Sequence, residues 1–357
     1  MSKAANYRLQ AVVRTARFGG KFPRSCSHSF GFCIFCVSLR PMKNAFVQLH
    51  AAVLLASCSG ILGNLISLDA VMVTWYRMLL AGLVLMVVLV VRERRPAFGR
   101  TDLKVLAVGA LLALHWIFFY ASIKYSNVSV GVVCFCLSGF FTAIISPLLN
   151  RRRISWTELL LSAITLAGIL LIFRFDTSFR LGIVLGTVSS LLFALYATLN
   201  GRVNSSSPSD SSPTFRSAPT SSDAPGIQPA RPGTVPDALR ITALQMTGGC
   251  AALTVLLPFY HLAVPSALFI PTAADTAYLL LLALGSTVCM CLLLNRAQRT
   301  ITPFTVSLTF NLEPVYSILL AILIFHEHRV LDPAFWAGLA LIVLSLALQM
   351  LYVVRRK

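Results

Sequence analysis

The sequence predicts an all-α integral membrane protein of ten transmembrane helices, arranged as two inverted five-helix repeats. Three observations lead there. Of the 357 residues, 57% are hydrophobic and 12% charged, and the mean hydropathy is +0.80. Soluble domains carry about 25% charged residues, and surface-to-volume scaling denies a chain this apolar a stable form in water. Apolar runs of the length that crosses a bilayer, about 20 residues, recur ten times. The basic residues gather in alternate loops.

The runs lie at about 45–66, 71–91, 104–123, 128–149, 156–173, 181–200, 239–260, 276–295, 303–325 and 333–354. The third contains His115, and the seventh begins beside Arg240. Short polar loops separate most of them, such as Ser67-Leu68-Asp69, Arg92-Glu93-Arg94-Arg95-Pro96 and Asn150-Arg151-Arg152-Arg153. Backbone at membrane depth must satisfy its own hydrogen bonds, so these runs are expected to be helices. The period-two alternation of a membrane barrel is absent.

With the N-terminus in the cytoplasm, 25 Lys and Arg fall on that side. Only Lys124, Arg174, Arg180 and Arg329 fall on the other, and Arg77 lies within a run. This is a strong positive-inside bias, and it places both termini in the cytoplasm. It also accounts for the net charge of +18 without nucleic acid, for which no basic polar domain exists.

Two segments fall outside the pattern. Residues 201–238 are rich in Ser, Pro, Thr and Ala, cannot bury a core, and read as a disordered cytoplasmic linker between the sixth and seventh runs. Asn204-Ser205-Ser206 matches a glycosylation sequon, but the orientation keeps it inside. Residues 1–41 are basic and lack acids. They read as a transit peptide, a basic tail, or translated sequence upstream of a start at Met42-Lys43, and the last reading is favoured. The membrane is expected to be the bacterial inner membrane, with a plastid membrane as the alternative.

An odd number of helices per half forces the halves to insert with opposite orientation, the plan of many secondary transporters. The repeats are read as 42–174 and 175–357, the second opening with the run before the linker. The halves echo each other in detail. Leu137-Ser138-Gly139-Phe140-Phe141-Thr142 leads to Arg151-Arg152-Arg153, Trp156 and Ala167-Gly168-Ile169. Leu312-Glu313-Pro314-Val315-Tyr316-Ser317 leads to His326-Glu327-His328, Trp336 and Ala337-Gly338-Leu339.

On these residues the chain resembles the drug/metabolite transporter superfamily, and within it the EamA-like transporters. Arg77 in Trp75-Tyr76-Arg77-Met78-Leu79 and the stretch Tyr120-Ala121-Ser122-Ile123-Lys124-Tyr125 add to the resemblance. It covers about residues 42–354 apart from the linker. Arg151-Arg152-Arg153 departs from the Gly-Glu pair often found at that place. The resemblance implies ten helices around a central cavity, cytoplasmic termini, and movement of small organic solutes such as amino acids, inward or outward.

Ionisable groups inside a bilayer are costly and usually face a cavity. Glu313 stands before Pro314, which removes a backbone donor and frees a carbonyl one turn earlier. A carboxylate at such a helix break suits a cationic group or a proton, and a structural pairing with Arg77 or a backbone donor competes with that reading. Arg77 binds substrate or, as the favoured reading, staples helices. His115 relays protons or, again favoured, is a satisfied interior histidine. Asn64, Trp116, Tyr120, Tyr196, Asn200 and Asn311 are candidates for the cavity lining, with the aromatics also able to act as interface anchors. Gly109, Gly131, Gly182 and Gly186 suit close helix packing.

His326, Glu327 and His328 read as a solvated helix end rather than a metal site. Cys26, Cys33, Cys36 and His28 fit no zinc spacing, and the cysteines within the apolar runs read as small hydrophobes. No metal, cofactor or phosphate-binding loop is expected, and no catalytic elbow or metalloprotease pair occurs. The expected partners are a small-molecule substrate and the lipid bilayer, with a homodimer left open. The expected function is alternating-access transport around the third, fourth, eighth and ninth runs. The alternatives are a membrane transferase acting on lipid-linked substrates, or a receptor or scaffold that uses the linker.

Overall fold

Among the described residues of the computed structural model, every regular element is helical. The structure describes residues 44–93, 99–173, 179–205, 238–265, 268–310, 312–317, 320 and 333–355. The helices are α1 Ala45–Leu65, α2 Ala70–Glu93, α3 Arg100–Lys124, α4 Val128–Phe135, α5 Leu137–Leu149 and α6 Trp156–Phe173. They continue with α7 Arg180–Ser205, α8 Ala238–Ala263 and α9 Ala273–Leu281. A π-helical segment, Leu282–Cys289, joins α9 to α10 Met290–Ala297, and α11 Pro303–Phe310 and α12 Pro333–Arg355 follow.

Among the described residues, seven helical stretches are long and apolar enough to cross a membrane, with α6 and α12 contributing shorter apolar helices. The chain is an all-helical membrane protein. Its surface agrees: Leu83, Val87, Val255 and Phe259 are more than half exposed, while Arg77, Asn200, Gln245 and Asn295 are fully buried. Apolar outside and polar inside is the arrangement that lipid demands and water forbids.

Two expected helices carry irregularities that periodicity does not disclose. The fourth run breaks at Cys136, whose N–H turns back three residues to Val133 O at 3.0 Å, dividing α4 from α5. The eighth run is α-helical at both ends and π-helical between, with the Thr287 hydroxyl donating to Leu282 O, five residues back, at 2.8 Å. Asn311, His326, Glu327 and His328 lie outside the described residues, as do the basic N-terminal segment and nearly all of the Ser/Pro-rich stretch. Cys58, Cys134, Cys136, Cys250 and Cys291 are free. Cys289 Sγ lies 3.3 Å from Leu284 O within the π-helical segment.

The helix ends are tied by two matching devices. Asp102, in the first turn of α3, accepts from Gly99 N at 2.8 Å and pairs with Arg240, in the first turn of α8, at 2.8 Å. Asp275, in the first turn of α9, caps its own helix through Thr272 and accepts from Ser67 N and Oγ, both at 2.7 Å, just ahead of α2. A carboxylate in a first helical turn complements the orphan N–H groups there. Thus the starts of α3 and α8 meet at one place, and the starts of α2 and α9 at another.

Between these ends α3 packs against α7 and α8, α1 against α10, α2 against α8, and α6 against α12. Glycines set the closest approaches. A Cβ on Gly248 would lie 2.3 Å from Leu106 O, and one on Gly109 would lie 2.1 Å from Gln245 O. The backbones of α3 and α8 touch there, as small residues allow in membranes. Gly182 and Gly186 play the same part for α7, against Ser126 and Cys134.

Gly248→Ala is expected to force α3 and α8 apart and to cost about 1–3 kcal/mol. Gly82→Ala, where the nearest atom is 3.5 Å away, is expected to be near neutral. Unfolding temperatures of the two variants in detergent check the contrast; equal temperatures would contradict it.

Candidate functional site

One arginine organises the interior. Arg77 projects from α2 and is fully buried. Its Nε donates to Thr287 Oγ1 at 2.9 Å, and its Nη1 donates to Ser59 Oγ at 3.2 Å and to the Tyr120 hydroxyl. Ser59 and Tyr120 also bond each other at 2.7 Å. The guanidinium lies over the Trp116 ring, 3.5 Å from its centroid, a cation–π geometry that compensates lost hydration. Four elements therefore converge on one side chain: α1, α2, α3 and the π-helical segment.

Local structure explains the convergence. Gly63 leaves room for the Tyr120 ring against α1, since a Cβ there would sit 2.1 Å from Tyr120 Cε1. The π register hands the Thr287 hydroxyl to Leu282 O and so directs its oxygen at Arg77 Nε. Such segments inside α-helices frequently mark functional positions.

Arg77 Nη2 is buried and has no hydrogen-bond partner among the described residues. Arg77 lines a small chamber of about 30 Å3, room for about two waters. Glu313 lines the same chamber and is 5% exposed. No ion pair joins the two. α11 ends at Phe310, Leu312 is a turn residue whose N–H reaches Thr309 O at 3.0 Å, and residues 313–317 are helical. Glu313 and Pro314 therefore open a new helical stretch rather than sitting in the middle of one.

Aromatic rings supply the rest of the wall. Phe135, Phe193 and Phe310 form a mutually packed cluster with centroids 4.7 to 6.4 Å apart, beside Trp116, Phe119 and Tyr196. His115 also lines the chamber, but its Nδ1 is held at 2.9 Å from both Ser189 O and Ser189 Oγ, and its ring packs on Phe135 and Phe193. This bonding ties α3 to α7.

A wider cavity of about 500 Å3 lies among the loops after α5 and α10 and the end of α7. Arg152, Arg153, Arg202 and Arg299 line it, together with Glu158. Arg202 Nε donates to Asn150 Oδ1 at 2.8 Å and Nη2 donates to Leu149 O, so this cation caps the end of α5.

The structure thus brings Arg77, Glu313, His115, Trp116 and Tyr196 to one chamber, with Tyr120 directly behind Arg77. Asn64 is exposed at the end of α1 and takes no part. Asn204, the sequon residue, is buried and donates to Asn200 O at 2.9 Å, which leaves no room for a glycan. Sequence reasoning missed Ser59, Thr287 and the three phenylalanines, which carry no signal of their own inside apolar runs. It also missed Gln245, Asn295 and Gln298, for which the signal existed: carboxamides are rare at membrane depth.

The interior thus sets a buried, incompletely bonded cation and a carboxylate on one aromatic-walled chamber inside an apolar helical shell. Comparison with known proteins gives the family. The EamA-like transporter family matches residues 45–174 and 234–351, and the chain belongs to it. Membership implies secondary transport, and the family is not one of enzymes. No curated protein matches the chain. A protein known from a crystal structure shares the fold at 16% identity with a TM-score of 0.57, covering 86% of this chain and 97% of that one.

Tyr120→Phe removes the hydroxyl shared by Arg77 and Ser59 and is expected to destabilise the fold by about 1–3 kcal/mol. Asn64→Ala is expected to change nothing. Thermal unfolding in detergent compares them, and a Tyr120→Phe protein as stable as wild type would contradict the account of the node.

Proposed function

We propose that the protein is an alternating-access carrier of small zwitterionic organic solutes of the amino-acid kind. The observation that carries this reading is the pairing, across one chamber, of a guanidinium with an unpartnered Nη2 and a carboxylate without an ion pair. A planar carboxylate suits the guanidinium, and an ammonium suits Glu313. The phenylalanines and Trp116 offer apolar surface to whatever side chain the solute carries. His115 and Tyr196 complete the wall, and Pro314 keeps the backbone before Glu313 irregular.

The chamber holds about two waters, less than any amino acid needs, so solute binding requires the helices to part. In this reading the structure is the member of an alternating pair with the narrow chamber, and ligand binding shifts the population. In this reading ten helices cross the membrane as two inverted five-helix repeats. The matching ties of Asp102 with Arg240 and of Asp275 with Ser67 support the inversion. Both termini and the wide arginine-lined vestibule then face the cytoplasm, in a bacterial inner membrane. Glu313 binds the solute ammonium or the coupled proton, and Arg77 binds the solute carboxylate while holding four elements together.

Flux of a panel of radiolabelled amino acids into proteoliposomes, with and without a proton gradient, tests the proposal. Wild type is expected to move at least one of them. Glu313→Gln is expected to slow it by at least about tenfold, the loss of one charge-assisted contact, with folding intact. Unchanged flux in Glu313→Gln would overturn the assignment of Glu313, and no flux of any member in folded protein would overturn the solute class.

A further inference from the structure

The chamber and the vestibule are separated by a single polar layer. α7 and α10 both run from one cavity to the other: Tyr196 and Leu294 line the chamber, and Gly201 and Gln298 line the vestibule. Between them stand Asn200 and Asn295, joined at 2.9 Å from Asn200 Nδ2 to Asn295 Oδ1. Gln245 of α8 closes a triangle, with its Nε2 donating to Asn200 Oδ1 at 2.7 Å and its Oε1 accepting from Asn295 Nδ2 at 3.2 Å. Asn200 Nδ2 also donates to Gln298 Oε1 on the vestibule side, and the Tyr196 hydroxyl lies 3.3 Å from it on the chamber side.

This triangle repeats the Ser59–Arg77–Tyr120 triangle position by position. Arg77 is the eighth residue of α2, and Gln245 is the eighth of α8. Tyr120 stands eight residues before the first residue of α4, and Asn295 eight before the first residue of α11. Ser59 and Asn200 are each followed by a glycine, and the two glycines face matching places. A Cβ on Gly60 would lie 3.6 Å from Val128, the first residue of α4, and one on Gly201 would lie 2.6 Å from Pro303, the first of α11. The hydrogen bonds correspond as well: in each triangle the α2 or α8 residue bonds both other members, and those two bond each other.

We propose that Asn200, Gln245 and Asn295 form the gate between the chamber and the vestibule, and that the Ser59–Arg77–Tyr120 triad is the matching gate on the other side. The proposal rests on the carrier reading above and adds the two places where it opens. The gates are matched in geometry and unequal in chemistry. One contains a guanidinium that stays inside the protein; the other contains only neutral amides. Beside the amide triad, Gln298 Nε2 and Asn204 Oδ1 are buried without partners among the described residues. Each is an uncompensated cost in the closed state, which water admitted by opening would remove. The first triad carries a comparable cost in the unpartnered Nη2 of Arg77, so each gate keeps a spare donor, and the amide triad adds a spare acceptor.

Cys291 is a free, buried thiol that lines the chamber, so its labelling reports which gate is open. In vesicles of either orientation, with the other free cysteines replaced by serine, a membrane-impermeant methanethiosulfonate is added from one side and the modified fraction is followed by intact mass. Gln245→Leu is expected to speed labelling from the vestibule side by about tenfold and to leave the other side unchanged. Tyr120→Phe is expected to do the reverse. Where Gln245→Leu does not fold, Gln245→Glu keeps the shape and removes the Nε2 donor. Equal changes from both sides, or no change in either variant, would overturn the proposal. The assay needs no transported solute, so asymmetric labelling in a protein that moves none of the tested amino acids would uphold the gates and refute only the solute class.

Discussion

A guanidinium buried among membrane helices is the constraint on which the rest of this interior depends. Removing such a charge from water costs several kcal/mol even after relaxation, and lipid offers nothing in return. The chain therefore surrounds Arg77 with what it can supply: two hydroxyls, a phenol and the face of an indole. The compensating groups come from three separate stretches of sequence, so satisfying Arg77 fixes how α1, α2, α3 and the π-helical segment meet. Its bonding stops one donor short among the described residues, where Nη2 has no partner.

The same economy appears at the second triad. A neutral glutamine holds there the position that Arg77 holds in the first half, and two asparagines replace the serine and the tyrosine. Carboxamides both donate and accept, so three of them close a ring without any charge. The two triads thus share a geometry and differ in side-chain chemistry. The close approach of α3 and α8 at Gly109 and Gly248 makes this possible, because it brings Gln245 within reach of α7 and α10.

Much of the architecture was legible in the sequence because lipid imposes a coarse rule: long apolar runs, and basic residues gathered on one side. The break at Cys136 and the π-helical segment were not legible, since both leave apolar composition untouched and arise from how backbone carbonyls are shared. Arg77 and Glu313 stood out as lone charges in apolar surroundings, and the structure places both at the chamber. Asn64 was chosen on the same logic and lies exposed at a helix end, where polarity is unremarkable. Ser59 and Thr287 gave no warning, because hydroxyls inside membrane helices ordinarily bond their own backbone. Asn295 and Gln245 were visible as polar residues, but only the fold shows that they are neighbours of Asn200.

The central claim is that Arg77, backed by Trp116, receives the solute. Trp116 lies directly against the guanidinium, so its fluorescence reports on that group. The most direct measurement is emission from a variant whose other tryptophans are replaced by phenylalanine, titrated with the amino-acid panel. The account predicts a saturable change for at least one member, absent in Arg77→Met protein that remains folded. A change that persists without Arg77, or none with any member, would contradict it.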